Sequence, residues 1–218
     1  MTTDTPVKLR ISEIFHSIQG ESTRVGLPSV FVRLTGCPLR CVWCDTEYAF
    51  TGGKSHSLEA VVEQVAGFQC RTVCVTGGEP LAQPGCLLLL RALCDAGHDV
   101  SLETSGAIGL AGVDERVSKI MDIKAPGSGE SGQTVWENLA RLDARDEIKF
   151  VLDSESDYAW ARDMISQRQL VAICPVLFSP VQGRLDPAHL AEWILRDRLP
   201  VRFQLQLHKL LWGSERGR

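Results

Sequence analysis

A chain of 218 residues, 44% hydrophobic and 23% charged, is ordinary for a globular protein and long enough for one continuous core. A net charge of -4 provides no broad cationic face, which argues against nucleic acid or anionic lipid as partners. The opening "MTTDTPVKLR" has no apolar signal core and no segment is long enough to span a bilayer, so a cytoplasmic protein without membrane contact is expected.

In chain order, the apolar run "SVFVRLT" (Ser29 to Thr35) predicts a buried strand that leads into "GCPLRCVWCDTEYAF". The segment "SLEAVVEQVAGF" predicts a helix with Ser57 as N-cap and Gly67 near its end, after a polar loop "GGKSHS". "TVCVTGGEP" is a short strand running into a glycine-rich turn, and "PGCLLLLRALCDAG" is a helix bounded by Pro84 and Gly97. "DVSLETSG" and "KIMDIKAPGSG" repeat the pattern of strand into polar loop. "EIKFVLD", "LVAICPVLFSP" and "VRFQLQLHK" are three further strand candidates, with helices near Ser154 to Arg168 and Asp186 to Asp197. Strands separated by helices imply right-handed crossovers and a mostly parallel sheet. About six core parallel strands are too few for a closed eight-stranded barrel, so a partial, open (β/α) barrel is expected, with residues 1–218 as a single domain. In such sheets the polar loops beyond the carboxyl ends of the strands gather on one face. That aims the cysteine loop, "GGEP", "ETSG", "DIKAP" and "SPVQG" at a common site.

Eight cysteines in a chain able to build its own core do not require a disulfide framework. Cys70, Cys74, Cys86, Cys94 and Cys174 lie in apolar surroundings and read as small hydrophobes. Cys37, Cys41 and Cys44 differ because they form a C-x3-C-x2-C array on one loop. Structural zinc normally takes four ligands, and His56, the candidate fourth, reads better as a solvent-exposed or capping histidine. Three thiolates without an obvious fourth suit an iron–sulfur cluster with one iron left open to an amine and carboxylate. "GGEP" alone reads as a tight turn, and Arg33 alone as a strand-end surface arginine.

The cysteine spacing, with Trp43 before the last cysteine and "GGEP" after the next strand, resembles the radical S-adenosylmethionine (SAM) enzymes. The longer motifs "EIFHSIQGEST", "FVRLTGCPLRCVWCDTEYAF", "VTGGEP", "ETSG" and "QLHKLLWGSERGR" are similar to the 7-carboxy-7-deazaguanine synthases along nearly the whole chain. Ser22 stands where that family has a second glycine, and Arg218 where some members end in proline.

The resemblance implies a lyase of queuosine biosynthesis that converts 6-carboxy-tetrahydropterin to 7-carboxy-7-deazaguanine with loss of ammonia. Its route is hydrogen abstraction by a 5'-deoxyadenosyl radical followed by ring contraction. It implies a 4Fe-4S cluster on Cys37, Cys41 and Cys44, and Mg2+ at Thr46, whose octahedron substrate oxygens and waters would complete. It places Trp43, Cys44, Asp45, Gly78, Glu79, Ser105, Asp122, Lys124 and Ser179 around SAM, with Glu79 able to receive the ammonium group. It places Ile18, Gln19, Gly20, Glu21, Arg33, Thr76, His208 and Arg218 around the pterin, Arg33 as a fork for the substrate carboxylate. A flavodoxin- or ferredoxin-type electron donor and a homodimer are implied as well. Two rival readings are an activase of the same superfamily that forms glycyl radicals, and a small zinc-binding interaction module.

Overall fold

A computed structural model describes residues 7–218. Nine strands form one sheet: β1 (Lys8–Ile18), β2 (Pro28–Leu34), β3 (Lys54–Ser57), β4 (Thr72–Gly77), β5 (Asp99–Thr104), β6 (Ser118–Asp122), β7 (Glu147–Leu152), β8 (Val176–Pro180) and β9 (Arg202–Phe203). Five α-helices accompany them: α1 (Leu58–Gly67), α2 (Cys86–Asp95), α3 (Glu155–Arg168), α4 (Pro187–Asp197) and α5 (Leu207–Trp212). The strand order is β3-β1-β2-β4-β5-β6-β7-β8-β9. From β2 to β9 every neighbouring pair is parallel, whereas β1 runs antiparallel to both β2 and β3. β3 and β9 stand at opposite ends of this order, so the barrel is open. Six strands of five residues or more, plus the two-residue β9, make up its parallel part.

The helices follow their sequence signals. Ser57 caps α1 by accepting from the Ala60 amide, and Ser154 caps α3 by accepting from Asp157. Asp186 caps α4, whose first residue is Pro187. One apolar cluster joins β1, β2, β4 and β5 to α1 and α2; another joins β6, β7 and β8 to α3 and α4. Alternation within the strands separates these cores from the inside of the barrel. In β7, Ile148 and Phe150 pack into the second cluster while Glu147 and Lys149 take the opposite face.

Several elements differ from expectation. "VRFQLQLHK" is a strand only at Arg202–Phe203, and the chain then turns into α5. The Gln204 side chain is drawn across to Ser22, donating to its carbonyl at 2.7 Å and accepting from its amide at 2.8 Å. Leu207 donates its amide to Gly20 at 2.9 Å, so the segment is pulled away from the sheet edge. "LVAIC" forms a short 3-10 turn before β8 begins at Val176. The "GGKSHS" segment is not a loop, because Lys54–Ser57 pairs with β1. The β5–β6 crossover contains only turns and the β6–β7 crossover three 3-10 segments instead of α-helices, each crossover carrying three glycines that disfavour a longer helix. Of the five scattered cysteines, Cys74, Cys86, Cys94 and Cys174 are buried, but Cys70 is only half-buried beside the Pro28 carbonyl.

Candidate active site

A cleft of about 770 Å³ opens at the carboxyl ends of the parallel strands. Sheet register explains which side chains line it. Arg33 pairs with Thr76, Glu103 with Ile120, and Asp122 with Lys149, and all six face the cleft. Arg33, Thr76, Glu103 and Asp122 lie at or next to the carboxyl ends of their strands, and Ile120 and Lys149 at mid-strand. Phe15, Phe31 and Val151 provide apolar wall between them.

The cysteine loop forms one rim. Cys37, Cys41 and Cys44 are half-buried, reduced and exposed to the cleft. Burial pushes their thiols up, Cys41 to about 11, with the Lys124 ammonium opposing it. The loop is anchored on both sides. Arg40 donates to the Cys37 carbonyl at 2.8 Å, and Val42 donates to the Ser128 carbonyl at 3.0 Å. Underneath, Glu79 donates its amide to Gly36 at 2.8 Å. Gly78 is required there, because a side-chain carbon would collide with Gly36 and the Cys37 Cβ. Among the described residues no three His, Cys, Asp or Glu side chains converge on a single ion. Three soft sulfur ligands on one anchored loop suit the corners of an iron–sulfur cluster. His56 stands in β3 opposite Leu9 and is not a cleft residue.

Two residues expected at SAM lie elsewhere. Glu79 is fully buried, and its carboxylate accepts from the Leu81 amide, the Thr104 hydroxyl, and both the amide and hydroxyl of Ser105. With its lone pairs taken, it has none left for an ammonium group. It acts from below instead, locking the "ETSG" turn to "GGEP". Ser105 remains on the cleft wall with its hydroxyl committed to Glu79. Ser179 is also fully buried, donating to the Gln204 carbonyl at 2.8 Å; past the end of β8 the cleft is lined by Val181, Gln182 and Arg184. Trp43, Asp45, Gly78, Asp122 and Lys124 all line the cleft. The Arg184 guanidinium lies 5.7 Å from the Trp43 ring centre.

Ile18, Gln19, Gly20 and Glu21, where the chain leaves β1, form a second rim of the cleft. The His208 ring packs directly on Gly20, leaving no room there for a methyl group. Gln19 is buried and its Nε2 lies 3.4 Å from Glu103, whose other oxygen accepts from Thr76 at 2.9 Å. Arg33 donates its Nε to Glu13 at 2.8 Å, and Tyr48 donates to the same oxygen at 2.7 Å. Among the described residues the terminal nitrogens of Arg33 have no hydrogen-bond partner, so the fork is braced at its stem and free at its tip. Thr46 donates to Asp45 at 2.8 Å, and Asp45 is paired with Lys209 at 2.8 Å. Although burial would raise the Asp45 carboxyl, Lys209 holds it well below the carboxylate range. The Thr46 hydroxyl oxygen lies on the cleft wall and retains acceptor capacity. That fits Mg2+ only if substrate and water supply the remaining ligands. Arg218 reaches the rim, where it is exposed and paired with Glu215.

Sequence reasoning missed Glu13, Tyr48, Glu103 and Lys149. Lys149 is the most conspicuous, a charged residue inside the apolar run "EIKFVLD" and 8% exposed. A charge two residues from Glu147 in such a run marks a face turned into the barrel, and that was the available signal.

An open barrel with a three-cysteine loop at its carboxyl-end mouth defines a radical-SAM type of protein. Residues 31–144 match the model of the radical SAM superfamily. A 7-carboxy-7-deazaguanine synthase of Chlorobaculum tepidum is 47% identical over 99% of this chain and 98% of its own length. One from Koribacter versatilis is 42% identical over 95% and 98%. The crystal structure of QueE from Escherichia coli, at 22% identity, shares the fold with a TM-score of 0.76 over 92% of this chain and 95% of that one. The chain belongs to the 7-carboxy-7-deazaguanine synthase family of the radical SAM superfamily.

Proposed function

We propose that the protein converts 6-carboxy-tetrahydropterin to 7-carboxy-7-deazaguanine with release of ammonia, acting as a single radical SAM domain. The observation that supports this best is the gathering in one cleft of the three thiols of the cysteine loop with Arg33, Gln19, Glu21 and Glu103. When bound, the cluster and SAM supply the one-electron chemistry that starts hydrogen abstraction. Cys37, Cys41 and Cys44 would hold the cluster, and Trp43, Gly78, Ser105 and Lys124 would line the SAM side. The free tip of Arg33 suits the substrate carboxylate, while Gln19, Glu21 and Glu103 suit the donor-rich edge of a pterin. Thr46 would hold Mg2+ together with substrate oxygens. Phe15, Phe31 and the His208–Gly20 contact narrow the space around the ring and keep water away from it. A flavodoxin- or ferredoxin-type reductant, a homodimer and a cytoplasmic setting complete the proposal and rest on the family resemblance.

The test is an anaerobic incubation of cluster-reconstituted protein with SAM, Mg2+, reductant and 6-carboxy-tetrahydropterin. Mass spectrometry should show 7-carboxy-7-deazaguanine. SAM cleavage without that product would overturn the substrate assignment.

A further inference from the structure

The cleft lining holds a chain of alternating charges in which Lys149 is buried and Glu21, Asp122 and Lys124 are half-buried. Lys149 Nζ is 2.7 Å from Glu21 Oε2 and 3.6 Å from Asp122 Oδ2. Asp122 Oδ2 also accepts from Lys124 at 2.9 Å, while its buried Oδ1 has no hydrogen bond among the described residues. Glu21 Oε1 accepts from Gln206 at 2.9 Å. The charged or titratable groups that face this cluster are Glu103 from β5, Asp122 and Lys124 from the end of β6, His208 from α5, and Cys41 and Asp45 from the cysteine loop. Of the two lysines in this cluster, Lys124 pairs with Asp122 alone, whereas Lys149 contacts both Glu21 and Asp122.

We propose that Lys149 is a positioning residue that couples the two halves of the cleft, its ammonium gripping Glu21 on the pterin side and reaching Asp122 on the SAM side. This rests on the pterin reading above. Occupying one side fixes the cation and so orders the other, and the coupling works equally in both directions. The charges support the arrangement. Burial would raise the Glu21 carboxyl, but Lys149, helped by Gln206 and His208, holds the group at about 2. Burial would lower the Lys149 ammonium, but Glu21 and Asp122 hold it well above its ordinary value.

The test measures equilibrium binding of 6-carboxy-tetrahydropterin to the oxidised, cluster-loaded enzyme under anaerobic conditions, with and without SAM, so that no turnover occurs. For the unmodified protein, SAM should tighten pterin binding by roughly fivefold or more, the lower range of ordinary coupling between sites. In Lys149→Met the ratio should fall to about one, with Lys149→Arg restoring most of it. Under turnover, Lys149→Met should release more than one deoxyadenosine per product. Glu21→Gln, which keeps the side-chain shape, should also abolish the ratio, and it decides the matter if Lys149→Met does not fold. A ratio that persists in a correctly folded Lys149→Met or in Glu21→Gln overturns the coupling, as does a ratio of one in the unmodified protein. If the unmodified protein makes no deazaguanine, the substrate reading fails instead.

Discussion

Arg33 illustrates how a residue becomes a ligand group. Its Nε is held by Glu13, and the Phe15 and Tyr48 rings lie at 6.0 and 5.9 Å from its guanidinium carbon. The side chain is therefore ordered before any substrate arrives, and a carboxylate bound at its tip loses little to reorganisation. Arg33→Ala should weaken pterin binding by about 2 kcal/mol, some thirtyfold, the scale of a charge-assisted hydrogen bond. SAM cleavage without substrate should persist. Unchanged affinity in a titration of pterin fluorescence would exclude the clamp. The motif around Arg33 was legible in the sequence, but its bracing was not, because Glu13 and Tyr48 are brought to it by strand pairing and by the turn after the cysteines. Glu79 misled for a related reason: a carboxylate in "GGEP" reads as exposed until the neighbouring turn is seen to supply all its donors. Ser22 occupies a glycine position at φ 68° and is fully buried, its hydroxyl accepting from the Arg24 amide at 3.0 Å. That bond stabilises a conformation which side chains other than those of Asn and Asp rarely adopt.

At the scale of elements, the loop between β1 and β2 is the inserted part that makes the barrel a site. Glu21 bonds Lys149 and Thr23 bonds Glu147, so alternate residues of the loop follow alternate residues of β7. Gln204 clasps Ser22 from the other side, and α5 places His208 against Gly20. Gly20→Ala should displace His208 and α5, lowering pterin affinity at least tenfold while SAM binding changes by less than threefold. Binding measurements with each ligand separately check this, and equal losses for both would show that the whole mouth had collapsed. None of this docking was legible: "VRFQLQLHK" has the alternation of a strand, and only distant partners decide that it stops after two residues. The helices with clear caps were legible because their signals are local, as at Ser57 and Asp186.

For the molecule as a whole, the parallel sheet and its open form followed from the alternation of strands and helices, even though two crossovers turned out to lack α-helices. The thiols divide as their surroundings dictate. Cys41→Ala should eliminate the cluster absorbance and all product, whereas Cys94→Ala, packed in the first core, should leave iron content unchanged; iron and sulfide analysis of reconstituted protein separates the two. Acid should loosen the mouth in a defined window. The Glu21 carboxyl is depressed from an ordinary 4.5 to about 2, so its stabilisation is complete above pH 4.5 and disappears as pH falls towards 2. Unfolding curves should therefore show a stability difference between the unmodified protein and Glu21→Gln that shrinks across that range. A constant difference would mean that Glu21 is not held by Lys149.

The register of β6 against β7 sets Asp122 directly beside Lys149, with Met121 and Ile148 beside each other one step earlier. Sliding either strand by a single residue would thrust an ammonium or a carboxylate among hydrocarbon side chains, at a cost of several kcal/mol. The same ions that equip the mouth for chemistry thus also act as an alignment key, favouring one register of the sheet over its one-residue slips.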